Sequence, residues 1–188
     1  MELKDIATLE SGSSQVRIKE SVNEDASTYR FYGQAELDND LLGRVGDESP
    51  AKQIRTVDAV ATLQNGDLIF SLISGKAVIV RPFHDGCLFT QNYVRVIPGA
   101  KADPAYLAYL LNEDNAIKKQ LRIGQQGSVT MKYTIKQLGE LRISELPSID
   151  TQRTIGELYF NQLKLTALKK HQAELEAQFV LGKMKGVC

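Results

Sequence analysis

Two histidines and two cysteines are the whole stock of imidazole and thiol in this chain. His84 lies beside Asp85 and near Cys87, and a loop of this kind could in principle gather around a metal ion. A structural zinc site draws on two separated ligand pairs, and His171 and Cys188 lie far along the chain. His84 therefore reads as a solvent-exposed loop residue. Gly75-Lys76 looks like the end of a phosphate-binding loop. That motif needs a glycine five residues before Gly75 and a Ser or Thr after the lysine, and Phe70 and Ala77 hold those places. No glycine-rich cofactor turn follows a strand at the required spacing, and 23 acidic residues single out no carboxylate pair. The expectation is a protein with no catalytic residue, no metal and no cofactor. A small enzyme with an unrecognised site has no constellation in its favour.

What remains is recognition by charge and hydrogen bonding. The formal charge of zero hides an asymmetry. Residues 1–60 carry 7 basic and 12 acidic groups, residues 61–149 carry 10 and 7, and residues 150–188 carry 6 and 4. Between 118 and 142 the basic residues are Lys118, Lys119, Arg122, Lys132, Lys136 and Arg142, against Glu140 alone. A polyanion would approach the middle of the chain. With 188 residues, 43% hydrophobic and 24% charged, the composition suits one globular domain and an appended element. No apolar run reaches the roughly 18 residues of a membrane span. Met1 to Gly12 has no signal-peptide core, and two cysteines are too few for a disulfide framework. A soluble, cytoplasmic protein without a membrane partner is the expectation.

The elements that must position such groups are legible in part. Leu3, Ile6 and Leu9 suggest a short helix or a lead-in to a strand, and alternation over residues 15–20 suggests a strand. Residues 34–55 read as a long, glycine-bearing acidic loop. A crowded β region follows, with alternation from Val57 to Leu63, a turn at Asn65-Gly66-Asp67, and apolar runs Leu68–Ile73 and Ala77–Val80. Tyr93–Ile97 supplies a further strand. Asp103-Pro104 opens a helix running to Gly124, with Asp103 as cap and Pro104 in the first turn. Gln125–Tyr133 reads as a polar loop, Thr134 with Gln137 as a capping box, and Leu141 with Ile143 as a last strand.

From Ser148 to about Leu181 the pattern changes to one uninterrupted helix. Its roughly 34 residues make a rod of about 50 Å, far longer than the usual 11–12 residues. Leu158, Leu165 and Phe179 fall at position a of a heptad and Leu168 and Leu175 at d, which is a coiled-coil seam. Asn161 at d and Gln172 at a interrupt it. Such polar breaks weaken a seam but can specify register and partner. Tyr159, Phe160 and Leu163 widen the apolar surface over the first third. Lys164, Lys169, Lys170, Glu174 and Glu176 lie off the seam. The fold class expected is α+β: a β-rich domain with short helices over 1–146, then one long coiled-coil helix over 147–188.

Several stretches, taken in order, resemble the target-recognition domain of type I restriction–modification DNA specificity (S) subunits. Gly66–Phe70 with Ser74–Val80 resembles its central β segment, and Thr90–Arg95 its next strand. Asp103–Leu107 resembles its proline, then tyrosine-leucine helix. Gly127-Ser128-Val129, Ile135–Leu138 and Leu141–Ile143 resemble its glycine-serine loop, short helix and strand. Leu146-Pro147 through Gln152–Ile155 resembles the entry to its conserved-region helix. The likeness covers nearly the whole chain. Full-length S subunits hold two such units in tandem and this chain holds one, so it resembles a half subunit.

The resemblance implies a non-catalytic subunit that reads one half-site of double-stranded DNA. It docks methyltransferase (M) subunits through its long helix, with restriction (R) subunits as further partners. S-adenosylmethionine would be bound only by the methyltransferase. A half subunit would pair with its own copy as an antiparallel homodimer through Leu158, Leu165, Leu168, Leu175 and Phe179, and would act on a split symmetric site. The DNA-contact candidates are Gln125, Gln126, Ser128, Thr130, Lys132 and Tyr133, with Lys76 and Gln91 in support. Glutamine can bond adenine at two places, and lysine can meet guanine or phosphate. The alternative is a coiled-coil adaptor that binds methyltransferase or restriction subunits without reading DNA.

Overall fold

A computed structural model describes residues 1–44, 52–125 and 132–185. The strands are β1 (Ala7–Ser11), β2 (Ser27–Arg30), β3 (Gln53–Thr56), β4 (Leu68–Ser71), β5 (Ala77–Ile79) and β6 (Tyr93–Pro98). The helices are α1 (Gln34–Leu42), α2 (Pro104–Glu113), α3 (Asn115–Gln125), α4 (Ile135–Gly139) and α5 (Ile149–Lys185). The class is α+β, with antiparallel sheets, short helices and one long terminal helix.

The central sheet has the order β1-β6-β4-β5, every pair antiparallel, and β2 pairs with β3 as a separate ribbon. Alternation along the strands builds two cores, one on each face. Leu68, Phe70, Ala77, Val94 and Val96 face α2, α3 and α4, where Leu107, Leu111, Ile117, Leu121 and Leu138 meet them. Ile69, Val78, Val80 and Tyr93 face the other way, onto Tyr32, Leu37, Leu63, Cys87 and Phe89. At the outer edge of the sheet, buried Asn112 of α2 stands in for a further strand beside β5. Its amide donates to the Ala77 carbonyl at 2.6 Å and accepts from the Ala77 N–H at 2.9 Å, so the edge is capped at Ala77.

Several expectations are revised. Residues 15–20 form no strand: Gln15–Arg17 is a 3-10 turn. Val16 is fully in solvent, so the alternation there marks no buried face. The acidic stretch from Gln34 contains α1. It is bounded by the Glu36 carboxylate accepting from the Gly33 N–H at 2.9 Å and by Gly43, whose φ of 63° stops the helix. Gln53–Thr56, inside the stretch read as loop, is strand β3 paired with β2, whereas Val57–Leu63 forms no strand beyond the isolated Thr62↔Leu88 bridge, and Val57 is exposed. The single helix expected from Asp103 to Gly124 breaks at Asp114. That carboxylate accepts from the Ala116 and Ile117 N–H groups at 2.8 and 2.9 Å and starts α3, an aspartate competing with its own helix. Leu141–Ile143 is only a bridge to the chain start, through Glu2↔Arg142.

His84 is the sharpest correction. It is buried, and its Nδ1 lies 2.8 Å from Asp40 Oδ1. Tyr32 donates its hydroxyl to Asp40 Oδ2 at 2.8 Å, and the Arg81 N–H donates to Oδ1 at 3.1 Å. Burial, and then the Asp40 charge, push the Tyr32 hydroxyl well above its ordinary value, so it stays a donor. This network ties α1 to the segment after β5.

The terminal helix is longer than its pattern suggested, with 37 residues or roughly 55 Å. Over its first half, Ile155 and Phe160 pack on the main core and Ala167 is buried. Residues 168–184 are exposed on every side. No helix among the described residues is long and apolar enough to cross a membrane.

Candidate nucleic-acid interface

Three connections meet at the end of the central sheet where β4 finishes and β6 begins. The β4–β5 turn is shaped by Ser71, whose hydroxyl accepts from the Ser74 N–H at 3.1 Å, and by Gly75 at a φ of 68°, where a side chain would be strained. The Leu72 N–H donates to the Asn92 carbonyl at 2.8 Å, and the Tyr133 N–H donates to the Leu72 carbonyl at 2.8 Å. The turn is thus laced to the strand lead-in at 90–93 and to the lead-in of α4. The Gln91 N–H donates to the Ser13 carbonyl at 3.0 Å and brings the end of β1 alongside.

This lacing gathers residues that lie far apart in sequence. Lys76, Gln91 and Lys132 are all exposed here, and Lys132 donates to Asn92 Oδ1 at 3.1 Å. Tyr133 also packs within this end of the sheet. Its ring lies against Gly75, where an added Cβ would come within 2.7 Å of Cε2, and it meets Phe70 edge-on at 6.1 Å. It is half-buried and holds the turn in place. Gln125 closes α3, and Gln126, Ser128 and Thr130 lie outside the described residues. Both flanks of that segment are anchored, one by the Gln137 side chain donating to the Gly124 carbonyl, the other by Tyr133.

Chemically, this end offers two ammonium groups, two side-chain amides and a tight turn. Ammonium groups position a phosphate backbone, and amides can bond base edges. Among the described residues, no group of three or more His, Cys, Asp or Glu side chains is placed to hold a metal ion.

The second candidate surface is α5. Its two faces have opposite fates. Gln152, Ile155, Gly156, Tyr159, Phe160, Leu163 and Ala167 face the body and are buried or half-buried. Leu158, Leu165, Leu168, Leu175 and Phe179 are 45–63% exposed. Two residues whose importance sequence reasoning missed are central to the attachment. Buried Gln152 accepts from the Asp103 N–H at 2.9 Å and donates to the Lys101 and Pro147 carbonyls at 3.0 and 2.9 Å. One turn on, Gly156 lets α5 cross α2 at close range. A Cβ there would lie 2.7 Å from that of Ala105 and 2.8 Å from its carbonyl carbon. The available signal was a glycine inside an otherwise uninterrupted helical pattern. Tyr159 finishes the joint by donating to Glu113 at 3.3 Å, and burial pushes its hydroxyl up to about 12.

No family model and no curated protein matches the sequence. Solved structures do match the fold. The HsdS subunit from Thermoanaerobacter tengcongensis is 19% identical with a TM-score of 0.60, over 95% of this chain and 40% of that one. A chain from a study of complex assembly and conformational transition in the type I R-M system is 16% identical with a TM-score of 0.61, over 98% and 42%. The type I restriction-modification S subunit from M. genitalium is 14% identical with a TM-score of 0.50, over 98% and 43%. At these identities the likeness is one of fold: this chain is built like one half of an S subunit. It spans about two-fifths of the length of each of those chains.

Proposed function

We propose that the chain is a DNA-specificity module of a type I restriction–modification system. It would read one half-site with the end of the sheet that carries Lys76, Gln91 and Lys132, and dock methyltransferase subunits beside α5. Two copies, joined through α5 as an antiparallel homodimer, would read a split symmetric site. One observation carries this reading. A body with the fold of an S-subunit half ends in a rod whose leucine face is left uncovered by that body. In this reading the chain supplies recognition and spacing, and the methyl donor and the chemistry belong to the methyltransferase; restriction subunits are further candidate partners.

The test uses the chain assembled with its methyltransferase subunits and a panel of duplexes of varied sequence. The expectation is preferential methylation of one split motif. Lys76→Ala with Lys132→Ala should weaken binding to all sequences and lower the slope of log affinity against log salt by about 1–2, since each lost phosphate contact removes about 0.9. Assembly with the methyltransferase should be unchanged. A complex that assembles yet methylates or binds every duplex alike would refute the recognition reading and leave the adaptor.

A further inference from the structure

The exposed face of α5 carries a self-complementary code. In an antiparallel pair of helices, position a of one copy faces position d of the other. Set Leu158 of one copy against Leu175 of the second. The same register then places Leu165 against Leu168, Phe179 against Thr154 and Asn161 against Gln172, each layer occurring twice by symmetry. Leucine meets leucine and amide meets amide. The same register brings Ile149 of one copy level with Met184 of the other along the axis, so every described turn of α5 has a facing turn.

Other registers lose this match. A slip of one heptad in one direction sets Gln172 against Leu168, Asn161 against Phe179 and Leu158 against Gly182. In the opposite direction it sets Leu165 against Asn161 and Gln172 against Thr154. Either slip buries an amide with no equal partner. A parallel pair would bring Lys164 of one copy against Lys169 of the other on both flanks and would align the two helix dipoles. Thr154, Leu158, Asn161, Leu165, Leu168, Gln172, Leu175 and Phe179 are all exposed, so the packing of α5 on its own body leaves the seam open from end to end.

Building on the reading above, we infer that Asn161 and Gln172 pin the register of an antiparallel pair of α5 helices in a dimer of this chain, and thereby set the distance between the two DNA-reading ends. A polar pair in an apolar seam specifies register at a cost in stability. In the pinned register, Gly156, where each body is joined to its rod, lies about 21 residues along the axis from its counterpart, roughly 32 Å at 1.5 Å per residue. One DNA turn is about 34–36 Å. A heptad slip would change the separation by roughly 10 Å, about three base pairs at about 3.4 Å each.

The test is disulfide mapping on the full chain with Cys188→Ser; Cys87 is buried. Under mild oxidation, Leu158→Cys mixed with Leu175→Cys should give at least tenfold more cross-linked dimer than either variant alone. Leu165→Cys mixed with Leu175→Cys should give little. Adding Asn161→Leu and Gln172→Leu should raise that second pair to the level of the first. It should also broaden the tolerated DNA spacer from one length to two or more, about three base pairs apart. Circular dichroism should stay unchanged, because these side chains are exposed. Self-cross-linking of each single variant, or one retained register and spacer in the leucine double variant, overturns the inference. A sedimentation mass of one chain overturns the homodimer reading as well, whereas a dimer mass with the wrong cross-links overturns the register alone.

Discussion

Replacing Gln152 by alanine should release the rod from its body, and the size of the effect follows from the joint. The side chain is 1% exposed and makes three hydrogen bonds, to the Asp103 N–H and to the Lys101 and Pro147 carbonyls. Each such bond contributes about 1 kcal/mol net, and a buried group left without a partner costs about 1–3 kcal/mol. The backbone partners are only part-buried, so water reaches some of them and the lower end applies. The expected loss is about 3–4 kcal/mol. With a urea slope of about 2 kcal/mol per molar, typical of small proteins, the midpoint should fall by roughly 1.5–2 M. Gln152→Glu keeps the acceptor for Asp103 but sets a carboxylate oxygen against two carbonyls. It should therefore be no better than alanine. Amide exchange should quicken first in α5 from Ile149 to Gly156 and in the Lys101–Asp103 segment. A urea midpoint within about 0.3 M of the parent for Gln152→Ala would refute the claim that this side chain fastens the helix.

Other substitutions probe the remaining joints. Gly156→Ala gains about 1 kcal/mol in helix propensity. The new Cβ meets Ala105 at 2.7 Å, so the net effect should be a loss of about 1–2 kcal/mol by overpacking, seen as a lower denaturation midpoint. Asp40→Ala strips partners from Tyr32, His84 and the Arg81 N–H and should cost about 3–5 kcal/mol, as in breaking a buried polar network. A change below about 1 kcal/mol would show that water readily replaces that carboxylate. Alkaline pH supplies a fourth check. Tyr93 and Tyr159 are both pushed by burial from 10.0 to about 12, so the folded chain holds these protons more tightly than the unfolded one. Their contribution is complete below pH 10 and is lost as the pH rises from 10 to about 12. Equilibrium denaturation at pH 9, 10.5 and 11.5 should show a falling stability, and Tyr159→Phe should flatten the decline.

Local patterns by themselves determined the elements whose cause is local. The long helix α5, the Asp103-Pro104 start of α2 and the Thr134–Gln137 capping box all appear where the spacing placed them, with α5 running a few residues further. Helix geometry depends on residues three and four apart, and sequence displays that directly. The resemblance to S subunits was also legible, because it lay in the order of short motifs. Residue type alone makes Lys76, Gln91 and Lys132 candidates for DNA contact.

Tertiary structure alone decided which of these meet and which side chains serve packing. Tyr133 lies against Gly75, Asp40 beside His84, and Gln152 on Lys101 and Asp103. Each contact joins residues that only the closed chain brings together, and no local period encodes it. The same closure hid His84 and turned the acidic residues after Gln34 into a helix. It also left one face of α5 bare, because a single body can cover only one side of so long a rod.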